Sequence, residues 1–103
     1  QGYKMGLYPG KGENGEAVCS PYENNGAYDV FKSINIKACF CGHDHKNYSD
    51  IFYKNEMILS YGIKATDLDY HAENLFGYKI ITLPENPAEF SLNSIESVFY
   101  LYQ

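Results

Sequence analysis

A short apolar run that stops at a glycine and gives way to two histidines constrains this chain more than any other feature. Residues 36–41, Ile-Lys-Ala-Cys-Phe-Cys, read as a buried strand, and Gly42-His43-Asp44-His45-Lys46-Asn47 follows without a linker. In an extended or tightly turned segment, side chains two residues apart point to one side. The spacing therefore predicts that His43 and His45 face one point in space and that Asp44 faces away. Neutral imidazole is the commonest protein metal ligand. Gly42 allows a sharp turn free of Cβ clashes. A strand whose C-terminal end carries half of a metal site is the physical reading.

Gly42-His43-Asp44-His45, followed by Lys46-Asn47 and preceded by such a strand, resembles the last metal-binding motif, Gly-His-x-His, of the calcineurin-like metallophosphoesterases. The flanks Lys11-Gly12-Glu13, Ile58-Leu59-Ser60-Tyr61-Gly62 and Gly77-Tyr78-Lys79-Ile80-Ile81-Thr82-Leu83 are similar to the purple-acid-phosphatase-like branch, so the resemblance spans residues 1–83. It implies an α/β (α+β) fold, mostly strands with one short helix, forming the C-terminal part of a four-layer β-sandwich. It further implies two divalent or trivalent metal ions (Fe, Zn or Mn), with His43 on one and His45 on the other. A metal-bridging hydroxide would then hydrolyse a phosphomonoester. Imidazole with carboxylate suits several such ions.

The chain opens at Gln1 with neither an initiator Met nor the charged and apolar regions of a signal peptide. On the resemblance, residues 1–103 are one portion of a single catalytic domain. The earlier motifs of the family (Asp-x-His, Gly-Asp, Gly-Asn-His and a separate His) would lie before Gln1, and this portion alone would be inactive. A chain of 103 residues is enough for one small domain. Its net charge of −5 argues against a general nucleic-acid surface, which needs a basic patch. A nuclease of the same superfamily is the weaker variant for that reason. No apolar run reaches the ~20 residues of a membrane span. Strand edges left open would invite pairing with another copy.

Other residues near the motif have two readings each. Asp44 could orient a ligand histidine or be a solvated loop residue. Asn47 stands where the related branch has Asn, but Tyr48 replaces the Asp that usually follows. Asn47-Tyr48-Ser49 is also a formal glycosylation sequon, discounted because a glycan at a metal rim would block it. Lys46 could attract phosphate, though a plain solvated lysine is the better reading. Tyr61 could line the pocket or pack on a sheet. His71, in the acidic stretch 66–75, could act as a general acid or as a ligand with Asp67 or Asp69, or be solvated. Cys39 and Cys41 read as small core residues, and with Cys19 the odd count argues against a disulfide framework. A Cys2His2 zinc site fails because the cysteines lie within the strand and the histidines beyond it.

The remaining chain predicts a loop over 1–27 and a short helix over 27–34 with Val30, Phe31 and Ile34 on one face. A hairpin (51–53 and 57–61), a loop (66–75) and a strand (76–83) follow, then a Pro84–Pro87 turn and strands at 90–92 and 98–102. All strands after Ile36 would form one mostly antiparallel sheet. The rival to a phosphoesterase is a non-catalytic β-rich interaction module, or a degenerate family member whose His pair does no chemistry.

Overall fold

A computed structural model of the chain describes residues 7–73, 75–89 and 96–101. Element order is β1 (Gly10–Asn14), α1 (Ala27–Ser33), β2 (Ala38–Cys41), β3 (Asn47–Tyr53), β4 (Met57–Tyr61), β5 (Gly77–Thr82), a 3-10 turn (Pro87–Glu89) and β6 (Glu96–Leu101). The class is α+β, mostly strands with one short helix. The strands form two sheets rather than one: a four-stranded sheet in the order β1-β3-β4-β2, and an antiparallel β5-β6 ribbon.

The hairpin forms as expected. Tyr53 pairs with Met57 across the turn, and Glu56 N–H donates to the Tyr53 carbonyl at 3.0 Å. Lys54 and Asn55 both hold positive φ, at 50° and 57°, the hand that suits two right-twisted strands. β3 extends back to Asn47, so the sheet begins immediately after the histidines. Two other elements depart from the sequence expectation. Gly10–Asn14 is a strand, not a loop, paired with β3 from Gly10↔Ile51 to Asn14↔Asn47. Its Gly, Lys, Glu and Asn residues carry no strand signal, and the element is made by backbone pairing, with Lys11 facing Asp50 across the ladder. Gly12 sits at φ 121°, and a Cβ there would come within 2.1 Å of the Tyr48 carbonyl oxygen. Only glycine fits.

β2 starts at Ala38 rather than Ile36, is half-buried to exposed, and pairs parallel with β4 from Ala38↔Ile58 to Cys41↔Tyr61. It is an outer strand of its sheet, which is why it is not buried as its apolar sequence suggests. Cys39 is half-buried and Cys41 exposed, so neither is a core residue, and all three cysteines are free. Helix α1 forms where its period indicates. Its apolar face is nonetheless open, with Val30, Phe31 and Ile34 all exposed. Lys32 and Tyr28 tie the helix to Glu56 in the hairpin turn. The predicted strand 90–92 lies outside the described residues, and β6 covers the last one.

Met57 and Ile58 are the fully buried apolar residues among those described. Polar residues account for much of the remaining interior, with Asp44, Asn47, Ser49, Asp50 and Ser60 all buried. Tyrosines pack on one another at the margins, Tyr53 against Tyr8 and Tyr28, and Tyr78 stacked on Tyr100, the last two both exposed. The ribbon meets the four-stranded sheet through Lys79. Its side chain is 6% exposed, and its ammonium donates to Asp50 Oδ1 at 2.9 Å, to the Tyr61 carbonyl at 3.0 Å and to Ser60 Oγ. The same ammonium lies 4.0 Å from the centre of the Phe99 ring, and Phe99 packs edge-on against Tyr48.

Candidate metal centre

Parallel pairing of β2 and β4 places the carboxyl ends of two neighbouring strands together. Such ends are where open α/β sheets hold ligands. From β2 the chain must reach β3, on the far side of β4, so residues 42–46 cross over the end of β4. Residues 62–64 leave β4 at the same end and line the same cleft. Gly62 N–H donates to the Cys41 carbonyl at 2.7 Å and joins the two exits. Between them lies a cleft of about 220 Å³ lined by Gly42, His43, Asp44, His45, Gly62, Ile63 and Lys64.

Glu16, just beyond β1, fixes the crossing. Its Oε1 accepts from the backbone N–H of His45 at 2.6 Å and of Lys46 at 2.9 Å. Gly15 N–H donates to the Lys46 carbonyl. From below, Asn47 is buried, donates to Asp44 Oδ2 at 2.8 Å and accepts from Glu16 N–H at 3.1 Å. That burial leaves no room for a glycan on the Asn47 amide. Asp44 does not face away into solvent as the i, i+2 pattern predicts. Its side chain is 3% exposed, and Oδ1 lies 3.1 Å from His43 Nδ1. The reason is backbone: His43 sits at φ 97°, so the segment is not an extended strand. Gly42 has no positive φ. The sharp turn falls one residue later than expected, on a side chain that pays conformational strain to occupy it.

Asp44 is the hub of the site. Burial pushes its carboxyl up, but hydrogen bonds from His43, Asn47 and Tyr61 outweigh this and hold it below its ordinary value. Tyr61, at the end of β4, is pushed up to about 12, first by burial and then by the Asp44 charge beside it. Tyr61 therefore acts as a neutral donor to the Asp44 carboxylate.

Both histidines are anchored through Nδ1. A carboxylate and a carbonyl oxygen only accept, so Nδ1 donates in each case. His43 donates to Asp44, and His45 donates to the Tyr70 carbonyl at 2.9 Å, with the two rings stacked at 4.0 Å. In the neutral ring this leaves each Nε2 with its lone pair, the tautomer a metal ligand needs, oriented by a carboxylate or carbonyl partner. The donor set thus suits half of a metal site. Among the described residues, no group of three or more His, Cys, Asp or Glu could complete it. Cys41 points its thiol at the Ser60 carbonyl, and partial desolvation at the sheet edge pushes the thiols of Cys39 and Cys41 up, which does not favour thiolate ligation.

Among the expected site residues, His43, His45, Asp44, Asn47 and Tyr61 come together. His71 does not line the cleft; its Nδ1 lies 2.8 Å from the Asp69 carbonyl and its ring packs edge-on to Phe76. Sequence reading missed Glu16, Tyr70 and Lys64. Glu16 and Tyr70 lie 29 and 25 residues from His45, beyond the reach of any local pattern. Lys64 is masked by the acidic residues that follow it. No family model matches the chain, and no curated protein or solved structure matches it either.

Proposed function

We propose that this chain is part of a metal-dependent phosphoesterase that hydrolyses phosphomonoesters. The observation that carries the reading is the paired Nδ1 anchoring of His43 and His45, by Asp44 and the Tyr70 carbonyl, at one cleft. His43 and His45 would each hold a metal ion through Nε2. When bound, such ions polarise a phosphoryl oxygen and supply a nucleophilic water at neutral pH. The chain's own residues do the rest. Asp44 fixes the His43 ring and balances positive charge beside it. Tyr70 holds the plane of His45, and Glu16 and Asn47 keep the crossing segment from moving. Tyr61 keeps its proton.

The remaining ligands would come from elsewhere in a larger four-layer sandwich of the calcineurin-like, purple-acid-phosphatase-related kind. The open apolar face of α1, with Phe40 exposed on the outer strand β2, supports that view, since so much uncovered apolar surface marks a place where other protein packs. The same surface supports the rival, a non-catalytic interaction module, and would drive self-association of the chain taken alone.

Turnover of an aryl phosphate by the longest native product, with Fe, Zn or Mn added singly, separates the two. Metal-dependent hydrolysis abolished by His45→Ala is the expected result. A folded product inactive with every metal would overturn the phosphoesterase and leave the module.

A further inference from the structure

Resting on the phosphoesterase reading, we propose that Lys64 is the anion-holding residue of the cleft. The substrate class it selects is the dianionic end of a phosphomonoester. The cleft is otherwise poor in positive charge. Its other lining residues are two glycines, an isoleucine, two histidines and the Asp44 carboxylate behind them, and the whole chain carries a net −5. Metal ions on the histidines would meet the oxygens facing them, and Lys64 is the lysine of the same lining that can meet the oxygens turned away from them.

Four other lysines are committed elsewhere, two of them at the far, hairpin end of β4. Lys79 is buried against Asp50 and Ser60, Lys11 faces Asp50 at 3.8 Å, Lys32 pairs with Glu56, and Lys54 sits over Tyr28 and Tyr53. Lys46, beside the motif, is not part of the cleft lining. Lys64 lines the cleft, and no carboxylate among the described residues pairs with it. Its backbone is fixed where the side chain would act, because its carbonyl accepts from Gly77 N–H at 2.8 Å and ties the exit of β4 to the start of β5. Space for a ligand is present beside it. A Cβ on Gly42 would meet nothing within 4 Å, and one on Gly62 would meet only the Cys41 carbonyl oxygen at 3.5 Å. An ammonium is a compact charge on a flexible stem, suited to following a phosphate group.

The test uses the longest native product and inorganic phosphate as the probe. Calorimetry on the wild type, Lys64→Ala and Lys64→Arg gives phosphate affinity, elemental analysis gives bound metal, and steady-state kinetics on an aryl phosphate give KM and kcat. Loss of one charge-assisted hydrogen bond weakens phosphate binding by about tenfold or more. Lys64→Ala should show that loss with metal content retained, and its kinetic defect should fall on KM more than on kcat. Lys64→Arg should recover most of it. A wild type that hydrolyses the ester while Lys64→Ala binds phosphate equally well overturns the role of Lys64 alone. A wild type that neither binds phosphate nor turns over with any metal overturns the phosphoesterase and this role together.

Discussion

Replacing His43 by glycine should leave the protein more stable than replacing it by alanine. The two variants share every loss of side-chain interaction. Each removes the hydrogen bond to Asp44, and each removes a side chain that is 72% exposed and so contributes little burial. They differ in the backbone at φ 97°, which an L-residue adopts only with strain. A non-glycine residue held in such a region costs of order 1–3 kcal/mol. Glycine removes that cost but loses about 0.5–1 kcal/mol to the greater freedom of the unfolded chain. The balance favours His43→Gly over His43→Ala by about 1 kcal/mol, roughly fivefold in the folding equilibrium. Urea denaturation of both variants in the longest native product, with metal removed from each, measures the difference directly. If His43→Ala equals or exceeds His43→Gly, the backbone at 43 is not strained and the placement of the turn on a histidine has no energetic meaning. If the order holds, the fold would be better served by glycine at 43, which is the signature of a residue kept for its imidazole.

Two further outcomes follow from the buried charges. Asp44 is depressed in the folded state, so its contribution is present above its unfolded value, about pH 4, and is lost as pH falls through the lower folded value. Asp44→Asn should therefore cost roughly 1–3 kcal/mol at pH 7, and the gap to wild type should close as pH drops below about 4; a gap independent of pH in denaturation curves would refute the charged role. Lys79→Met should cost roughly 3–5 kcal/mol, because Asp50 would remain buried with its main counter-charge gone. Adding Asp50→Asn should restore part of that stability, and a double variant no better than Lys79→Met would show that the pair does not join the ribbon to the sheet.

What could be read from the sequence, and what could not, divides along the range of the interactions. The hairpin, α1 and β5 are set by neighbours a few residues apart, and their periods show them. β1 has no such period. Its pairing is with a strand more than thirty residues away, and its Gly12 is chosen for the Tyr48 backbone rather than for a pattern. The parallel contact of β2 with β4 is equally invisible, because the five-residue crossing between β2 and β3 resembles a simple hairpin turn until β4 is inserted between them. That insertion matters most for chemistry. A hairpin would have left His43 and His45 on a loop tip with no neighbouring strand end beside them. The inserted strand places them above a second strand end, where Tyr61 reaches Asp44 and Lys64 enters the cleft.

The alternation argument for the histidines fails in an instructive way. It treats residues 43–45 as a strand, on which Asp44 must oppose its neighbours. The positive φ at His43 breaks that pleat and turns Asp44 inward, so the acidic residue between the two imidazoles becomes the group that orients one of them. A solvated Asp44 would have left the His43 tautomer unspecified and Asn47 without its buried acceptor. Strain at one residue, a carboxylate with three donors and an inward-facing amide therefore meet around the His43 ring, and the amide also fixes Glu16 through its backbone N–H.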